Sequence, residues 1–379
     1  MRTLRPLKVG LNLLHLVPGQ TGGSEIYARR LVLALLDVGG LDLVLFASRE
    51  GAPAMRAEPW GDAAEIVELR VNASSRGRRV LAEQTMLPWA VRRARIDLLH
   101  NLFTTAPVLP GVPQVTTILD LIYKRFPEAH SGIRSLGMRT MAPLAAKRSK
   151  RIIAISEATK SDVVSFLGID PGHVDVTYLA PGFTGSVDPA PEAELRRRHS
   201  LGDAPIVLSP SAHRPHKNLE RLIDALAALD RPMVLVVPGY ATRWEGELAA
   251  HVRRRGMDQR VHFLGWLGDA ELEGFYESST CLAFPSLAEG FGLPVLEAMA
   301  RGLPVACSNA TSLPEIAGEA ALYFDPRDVP AMTGAIERLL VDPVLREQLA
   351  AAGRDQAARF TWQRTAEGTI RSYERALAS

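Results

Sequence analysis

Cysteine is scarce in this chain of 379 residues. It occurs only at Cys281 and Cys307, and both thiols fall inside apolar segments that are typical of strands. Two isolated cysteines exclude the disulfide framework of a small secreted domain. The sequence therefore predicts a protein of a reducing compartment, and we expect a cytoplasmic location.

Long apolar runs are missing as well. No run reaches the roughly 18 residues that a membrane-spanning helix needs. Three basic residues precede the apolar run 9–17, as in a secretory signal, but Asn12 and His15 interrupt the run and no small-residue cleavage site follows. We interpret this run as a first strand. A hydrophobic content of 47% with 23% charged residues is typical of a soluble globular protein.

Patterns for several kinds of catalytic site are also absent. The histidines, cysteines and carboxylates show no metal-ligand spacing, and no Asp-x-Asp pair ends a predicted strand. The sequence contains no nucleophile elbow. The glycine loop 18–24, with Gly22 and Gly23, follows a predicted strand and precedes a predicted helix, but its spacing does not match the dinucleotide fingerprint. We therefore expect neither a metal nor an organic cofactor.

Strands and helices alternate along the chain in two successive halves, which indicates an α/β fold. A Pro-, Gly- and Ser-rich stretch at 181–191 is the candidate linker, and it predicts one domain at 1–185 and a second from residue 186. The segments 48–64 and 123–130, and the segment around Glu315, are interpreted as loops. A cleft between two such sheets is the natural place for a ligand. The predicted strands are 7–17, 41–47, 65–71, 96–102, 114–120, 151–155 and 174–179 in the first half, and 206–210, 233–238, 261–264, 281–284, 303–307 and 321–324 in the second.

Basic residues are unevenly distributed, although the net charge is only +2. This small excess argues against nucleic acid as a partner. Basic clusters occur at 76–79, 92–95 and 147–151, all in the first half. Each cluster alone is explained by a solvated helix face. Together they indicate an anionic acceptor, or peripheral contact of the N-terminal domain with an anionic membrane.

The stretch 284–304 carries the most specific pattern. It predicts the end of a buried strand, a glycine loop with Gly290 and Gly292, and a helix with Pro294 at its first position. Free N–H groups at such a helix start bind phosphate-type anions. Glu289 and Glu297 are then left to accept hydrogen bonds from neutral hydroxyls.

A second loop, 211–218, follows the first strand of the second half and is expected at the same edge of the sheet. Lys217 in this loop, with Arg214, His213 and His216 nearby, predicts a pyrophosphate pocket. Glu297 would bind a ribose diol, and Glu289 would face the group beyond the phosphates. The sequence therefore predicts a nucleotide sugar as ligand.

These motifs resemble those of the retaining glycosyltransferases of family 4, which have the GT-B fold. The resemblance covers nearly the whole chain and is most specific at 261–326. It implies two Rossmann-like parallel-sheet domains that face each other across a cleft: an acceptor-binding domain at 1–185 and a nucleotide-sugar-binding domain at 186–360. A last helix at 361–379, around Trp362, would cross back to the first domain.

The resemblance also implies roles for individual residues. Glu289 contacts the transferred sugar and supports the oxocarbenium charge, while Glu297 holds the ribose and Lys217 the pyrophosphate. His216 stands where many members have arginine, which leaves Arg214 as its substitute. The remaining donor-binding positions are shared with the family's glycine loops and nucleobase loop: Gly22, Gly23, Gly265, Trp266, Gly290, Phe291, Gly292 and Leu293.

One position departs from the family pattern. Many members have His-Asp after the strand that ends near Asp120, and this chain has Leu119 in place of the histidine. Asp120 is retained and is assigned, with Glu289, to catalysis. We expect a metal-independent retaining hexosyltransferase that moves a mannose- or glucose-type sugar to a hydroxyl of a saccharide, lipid-linked or small-molecule acceptor. The alternative is a catalytically silent nucleotide-sugar-binding partner subunit; an epimerase or phosphorylase has no independent support. The donor base (GDP, UDP, dTDP or ADP) stays open.

Overall fold

The computed structural model describes residues 5–18, 22–127, 133–182 and 187–378. The chain divides into two compact units, residues 1–182 with 360–379, and residues 183–359. The boundary predicted at 185, the middle of the predicted linker and the last part of the predicted loop 123–130 lie outside the described residues. Each unit is built on its own parallel sheet.

The described part of the first unit contains a seven-stranded parallel sheet in the order β3-β2-β1-β4-β5-β6-β7. Its strands are β1 Leu7–Leu13, β2 Leu41–Ala47, β3 Glu65–Glu68, β4 Leu98–Asn101, β5 Gln114–Ile118, β6 Arg151–Ala154 and β7 Val174–Val176. The strand order reverses between β1 and β4, which are direct neighbours in the sheet. In doubly wound sheets such a reversal marks where ligands bind, beyond the carboxyl ends of the strands.

Helices cover the first sheet on both faces, as parallel strands that are buried on both sides require. They are α1 Gly23–Val38, α2 Gly51–Arg56, α3 Arg76–Ala94, α4 Ile122–Arg125, α5 Ile133–Arg148 and α6 Glu157–Leu167. The hydrophobic core lies between these helices and the strands, with Phe46, Leu87 and Leu99 in one cluster and Ile118 and Val163 in another.

The described part of the second unit contains a six-stranded parallel sheet in the order β10-β9-β8-β11-β12-β13. Its strands are β8 Ile206–Leu208, β9 Val234–Pro238, β10 Val261–Gly265, β11 Cys281–Phe284, β12 Val305–Ser308 and β13 Ala321–Phe324. Here the order reverses between β8 and β11. The two sheets therefore share one winding pattern.

Eight helices surround this second sheet within the described residues. They are α7 Glu192–Arg198, α8 Leu219–Ala227, α9 Glu245–Arg254, α10 Asp269–Ser278, α11 Leu293–Ala300, α12 Leu313–Ala317, α13 Val329–Val341 and α14 Pro343–Ala357. Cys281 and Cys307 lie on the neighbouring strands β11 and β12 as free, buried thiols. Burial raises the pKa of Cys281 to about 12, so this thiol packs as an apolar side chain.

The last helix, α15 Trp362–Ala378, packs within the first unit. Its Trp362 ring N–H donates to the carbonyl of Pro181 at 2.9 Å. Further along, Ser372 and Arg375 both bind the carboxylate of Asp175 on β7. Arg151 on β6 pairs with the same carboxylate. Asp175 thus joins this helix to two strands.

A chain of buried polar side chains also reaches α15 from the sheet. The Tyr27 hydroxyl lies 2.9 Å from Thr117 Oγ1, which lies 2.8 Å from Nε2 of His100. The other ring nitrogen of His100, Nδ1, lies 2.7 Å from the Tyr373 hydroxyl. Burial lowers the pKa of His100 to about 3. The imidazole is therefore neutral in the folded protein.

Several predicted loops contain short helices instead. α2 lies in the predicted loop 48–64, α4 in the loop after Asp120, and α12 holds Glu315. Helices of four to six residues have fewer than two turns, which is too short to show an apolar period of 3.6 residues. The strand predicted at 114–120 ends at Ile118. Among the described residues, no helix is long and apolar enough to cross a membrane.

Candidate active site

The predicted lysine loop and glycine loop both begin where the order of the second sheet reverses. The loop that holds Lys217 follows β8, and the loop that holds Glu289 follows β11, its direct neighbour. Both loops leave from the carboxyl ends of parallel strands. Residues 72 positions apart in the sequence therefore meet at one sheet edge.

Hydrogen bonds to the segment that precedes α12 hold the glycine loop in place. The Ser312 hydroxyl, which is buried, donates to the carbonyls of Glu289 and Phe291, and the Glu289 N–H donates to Thr311 Oγ1 at 2.9 Å. Gly292 has φ +107°, and a Cβ there would lie 2.6 Å from Leu313 Cδ2. This position therefore requires glycine. The helix begins at Leu293, so Pro294 stands at the second helical position and not, as predicted, at the first.

The lysine loop is tied to the glycine loop by backbone and amide contacts. Residues 215–217 form a short 3₁₀ turn, and Asn218 follows with φ +60°. The Asn218 side chain donates to the carbonyls of Pro285 and Pro326 at 3.0 and 2.7 Å. The Leu287 N–H donates to the carbonyl of His216 at 2.7 Å. The two loops consequently hold a fixed spacing.

Lys217 and Glu289 form an ion pair in this site. Lys217 Nζ lies 2.6 Å from Glu289 Oε1, and the side chains are 17% and 10% exposed. The ammonium also lies 5.4 Å from the centre of the Phe284 ring. Two residues that were predicted to face different parts of one ligand thus contact each other directly. Both side chains therefore lie beside the glycine loop.

The other basic residues of the lysine loop do not all contribute charge. His213 is buried against the Phe263 ring, 4.7 Å between ring centres, and burial lowers its pKa. We expected His213 to add positive charge to the pyrophosphate pocket, but its lowered pKa leaves the imidazole neutral near pH 7. His216 is buried too. Arg214 is exposed and donates to the Tyr240 hydroxyl at 3.2 Å.

Glu297 lies in the first turns of α11 and is held by a residue that the sequence did not single out. The hydroxyl of Tyr276 on α10 donates to Glu297 Oε2 at 3.1 Å. Burial, and next the charge of Glu297, raise the pKa of Tyr276 well above its ordinary value. Tyr276 therefore stays a neutral donor and orients the carboxylate.

A buried ion pair between Arg301 and Glu273 lies next to Tyr276 and Glu297. Arg301 Nε donates to Glu273 Oε2 at 2.7 Å, and both side chains are nearly inaccessible, at 7% and 10%. The guanidinium also lies 4.4 Å from the centre of the Tyr276 ring and donates to the Glu297 carbonyl. Tyr276, Glu273 and Arg301 form a support under Glu297. The only sequence signal was the spacing of four residues between Glu297 and Arg301 on one helix.

Family comparison agrees with this geometry. The family model described as Glycosyltransferase Family 4 matches residues 21–180, and the model described as Glycosyl transferases group 1 matches residues 191–356. The O-antigen chain mannosyltransferase B of Escherichia coli is 32% identical over 270 residues, which are 69% of this chain and 70% of that protein. The chain belongs to glycosyltransferase family 4. The MMP alpha-(1->4)-mannosyltransferase of Mycolicibacterium hassiacum is also 32% identical, over 65% of this glycosyltransferase and 59% of its own length.

Solved structures show the same architecture. The sucrose-phosphate synthase of Thermosynechococcus elongatus has a TM-score of 0.79 at 20% identity and covers 98% of this glycosyltransferase and 99% of its own chain. HepE (Alr3699) of Anabaena, in complex with UDP and glucose, has a TM-score of 0.75 at 20% identity, with coverage of 97% and 99%. Together with the two doubly wound sheets, this likeness shows that the glycosyltransferase has the GT-B fold.

The predicted nucleobase loop lies at the end of β10 in the same unit. Gly265 has φ +68° at an irregularity in the strand, and its carbonyl accepts from the Gly239 N–H at 2.7 Å. Trp266 follows and is 60% exposed. Gly265 thus turns the chain so that an indole ring stands free in solvent.

The remaining predicted residues of this glycosyltransferase lie in the first unit. Gly22, with φ +53°, precedes α1, and Gly23 is the first residue of that helix. Asp120 lies two residues beyond β5. Its carboxylate accepts at 3.1 Å from the N–H of Ile122, the first residue of α4. Leu119, which stands between the end of β5 and Asp120 in the chain, is half-buried. Their roles toward donor and acceptor stay predictions.

Several buried polar groups at the site's sheet edge lack a hydrogen-bond partner among the described residues. Within the described residues, the buried hydroxyls of Ser209 and Ser286 and both ring nitrogens of His213 have no hydrogen-bond partner. Buried polar atoms normally find partners, and a bound ligand or water would supply them. The described residues contain no group of three or more histidine, cysteine or carboxylate side chains that could hold a metal ion.

Proposed function

We propose that this protein is a retaining hexosyltransferase that uses a nucleoside-diphosphate sugar and needs no metal ion. The contact between Lys217 and Glu289 carries the proposal. It places a cation and a carboxylate together at the start of α11, at the reversal point of a doubly wound sheet. That arrangement suits a ligand with an anionic part and a neutral polyol.

In the proposed complex the diphosphate lies against the N–H groups of residues 290–293 and the Lys217 ammonium. Arg214, at the edge of the same loop, adds a second charge. Glu297, oriented by Tyr276, accepts from the ribose hydroxyls, and the exposed Trp266 lies beside the base. HepE of Anabaena, which shares this fold, was solved with UDP and glucose.

The transfer step requires charge stabilisation at both ends of the bond that breaks. The bond between the sugar's anomeric carbon and the diphosphate oxygen breaks, and the acceptor oxygen forms the new bond on the same face. The acceptor proton passes to the leaving phosphate. Glu289 stabilises the positive charge on the sugar, and Lys217 with the helix start stabilises the negative charge on the diphosphate.

A hexose of the mannose or glucose type is the proposed sugar, because mannosyltransferases are prominent among the relatives. The acceptor is a hydroxyl of a saccharide, lipid-linked or small-molecule compound, and Asp120 in the first unit is the residue proposed to act at it. The reaction is proposed to take place in the cytoplasm.

The test combines binding with turnover. Thermal shift of the purified protein with GDP-, UDP-, dTDP- and ADP-linked glucose and mannose identifies the donor, since at equal concentration a tighter ligand raises the stability of the folded protein more. Donor turnover is then compared for Glu289→Gln and Lys217→Met. The exposed Glu247→Gln and the half-buried Lys160→Met, both outside the basic clusters, serve as controls.

We expect the two site variants to lose about 100-fold or more in turnover, as the loss of one charge-stabilising group usually costs. The controls and an excess of EDTA should leave turnover unchanged. NMR of the product should show the anomeric configuration of the donor. Turnover of folded Glu289→Gln at the parent's rate would disprove the site assignment.

Leu119 supports a second candidate, a silent nucleotide-sugar-binding subunit. In this case a donor would stabilise the protein, while neither hydrolysis nor transfer of any donor would be detected. Restoring the family's residue with Leu119→His would then be expected to create activity. Measurable hydrolysis by the parent excludes this candidate.

A further inference from the structure

A cavity of about 350 Å³ lies in the first unit, and none of the residues assigned to donor binding lines it. Arg49 follows β2, Arg70 follows β3, and Arg78 lies in the first turn of α3. All three side chains line the cavity, and no carboxylate does. The carboxyl ends of two neighbouring strands and one helix thus bring three positive charges to one opening.

These three arginines form no ion pair with a described residue, and the carboxylate of Glu50, next to Arg49 in the chain, accepts from the Ala73 N–H. In the described part of the chain, the side chains of Arg49, Arg70 and Arg78 have no ion-pair or hydrogen-bond partner. Nearby Arg56, in contrast, pairs with Glu68. Residues 70–95 contain only one acid, Glu83, which is buried and bonded to Asn12 and Thr105. A cavity with three free guanidiniums suits an anion with several oxygens, such as a phosphate.

The cavity continues into an exposed apolar surface. Leu81 and Met86 of α3 line the same opening and are 63% and 38% exposed. Trp89, one turn further along the helix, is 64% exposed, and the guanidinium of Arg93 lies 5.5 Å from its ring centre. A small water-soluble phosphate would not bury these apolar side chains. Arginine and tryptophan beside exposed aliphatic groups are typical of a surface at a lipid headgroup layer.

We propose that this face of α3 docks the protein on an anionic phospholipid surface. The headgroup phosphate occupies the cavity of Arg49, Arg70 and Arg78, and Leu81, Met86 and Trp89 enter the boundary between headgroups and acyl chains. The proposal goes beyond the transfer reaction and does not depend on it. An inactive Glu289→Gln protein should dock as the parent does.

Cosedimentation with vesicles tests the proposal. The parent, a triple variant with glutamine at positions 49, 70 and 78, and Trp89→Ala are each mixed with vesicles of phosphatidylcholine alone or with phosphatidylglycerol added. A control triple variant removes the exposed arginines at 197, 253 and 371, which lie elsewhere on the surface. Both triple variants carry the same net charge. The substituted side chains are exposed, so the fold should persist, and circular dichroism verifies this.

The parent and the control should bind only the vesicles that contain phosphatidylglycerol, and added salt should weaken binding. The cavity variant should bind them about fivefold more weakly for each arginine removed. Trp89→Ala should also bind more weakly. Equal binding by both triple variants would overturn the proposal. Stabilisation of the parent by inorganic phosphate without any vesicle binding would overturn it too, and would make the cavity a site for a soluble phosphate.

Discussion

The buried imidazole of His100 makes the stability of the first unit depend on pH. Its folded pKa is about 3, against 6.5 in an unfolded chain. Below pH 6.5 the unfolded chain binds a proton that the folded protein does not bind, so the free energy of unfolding falls as the pH falls. The fall is about 1.4 kcal/mol per pH unit until the pH approaches the folded pKa.

His100→Asn should remove this share of the acid sensitivity. The variant is less stable at pH 7, because it loses contacts to Thr117 and Tyr373. Its free energy of unfolding should nevertheless change less between pH 7 and pH 5 than that of the parent. Urea unfolding at several pH values measures both slopes, and parallel slopes would contradict the prediction.

The Tyr276 hydroxyl should affect donor binding more than the chemical step. Tyr276→Phe removes one hydrogen bond to Glu297, the carboxylate proposed to hold the ribose. We expect KM for the donor to rise about 3- to 10-fold, which matches a net hydrogen-bond contribution of about 0.5–1.5 kcal/mol, with little change in kcat. Tyr323→Phe, whose hydroxyl donates to the Gly318 carbonyl away from this carboxylate, is the matched control. A lower kcat with an unchanged KM would be inconsistent with a positioning role.

At the scale of elements, the glycine loop depends on a backbone form that only glycine adopts easily. Gly292→Ala combines a φ of +107° with a contact of 2.6 Å to Leu313, and we expect a loss of about 1–3 kcal/mol in stability together with weaker donor binding. Gly246→Ala in α9 meets no atom within 4 Å, so this control should gain about 0.5–1 kcal/mol. Thermal unfolding and donor titration check both variants; unchanged binding by Gly292→Ala would show that the loop tolerates the distortion.

Elements with a clear period or cap could be predicted from the sequence. β2, β11 and β13 have the predicted bounds, 41–47, 281–284 and 321–324. Ser156 caps α6 by accepting from the Thr159 N–H. What the sequence could not predict depends on contacts between distant segments. Lys217 pairs with Glu289 because β8 and β11 are neighbours in the sheet. His213 is neutral because its ring is buried in contact with the Phe263 ring.

At the scale of the whole molecule, the two units repeat one winding pattern but carry different residues at its reversal point. The lysine and glycine loops occur in residues 183–359. We therefore expect a nucleoside diphosphate to protect amides of the second unit, at 209–218 and 285–300, from hydrogen exchange. Amides of the first-unit strands β1 to β7 should exchange at the same rate with and without this ligand. Hydrogen exchange on the full chain, with UDP and GDP compared, measures this, and protection confined to the first unit would reverse the assignment of the donor-binding unit.

The two most exposed tryptophans have a practical consequence. Trp89 lies in the first unit beside the arginine cavity, and Trp266 lies in the second unit beside the proposed base site. Trp60 is buried, and Trp244 and Trp362 are partly covered, so a collisional quencher reaches mainly these two indoles. With Trp89→Phe and Trp266→Phe variants, intrinsic fluorescence can report separately on each unit, without an added label.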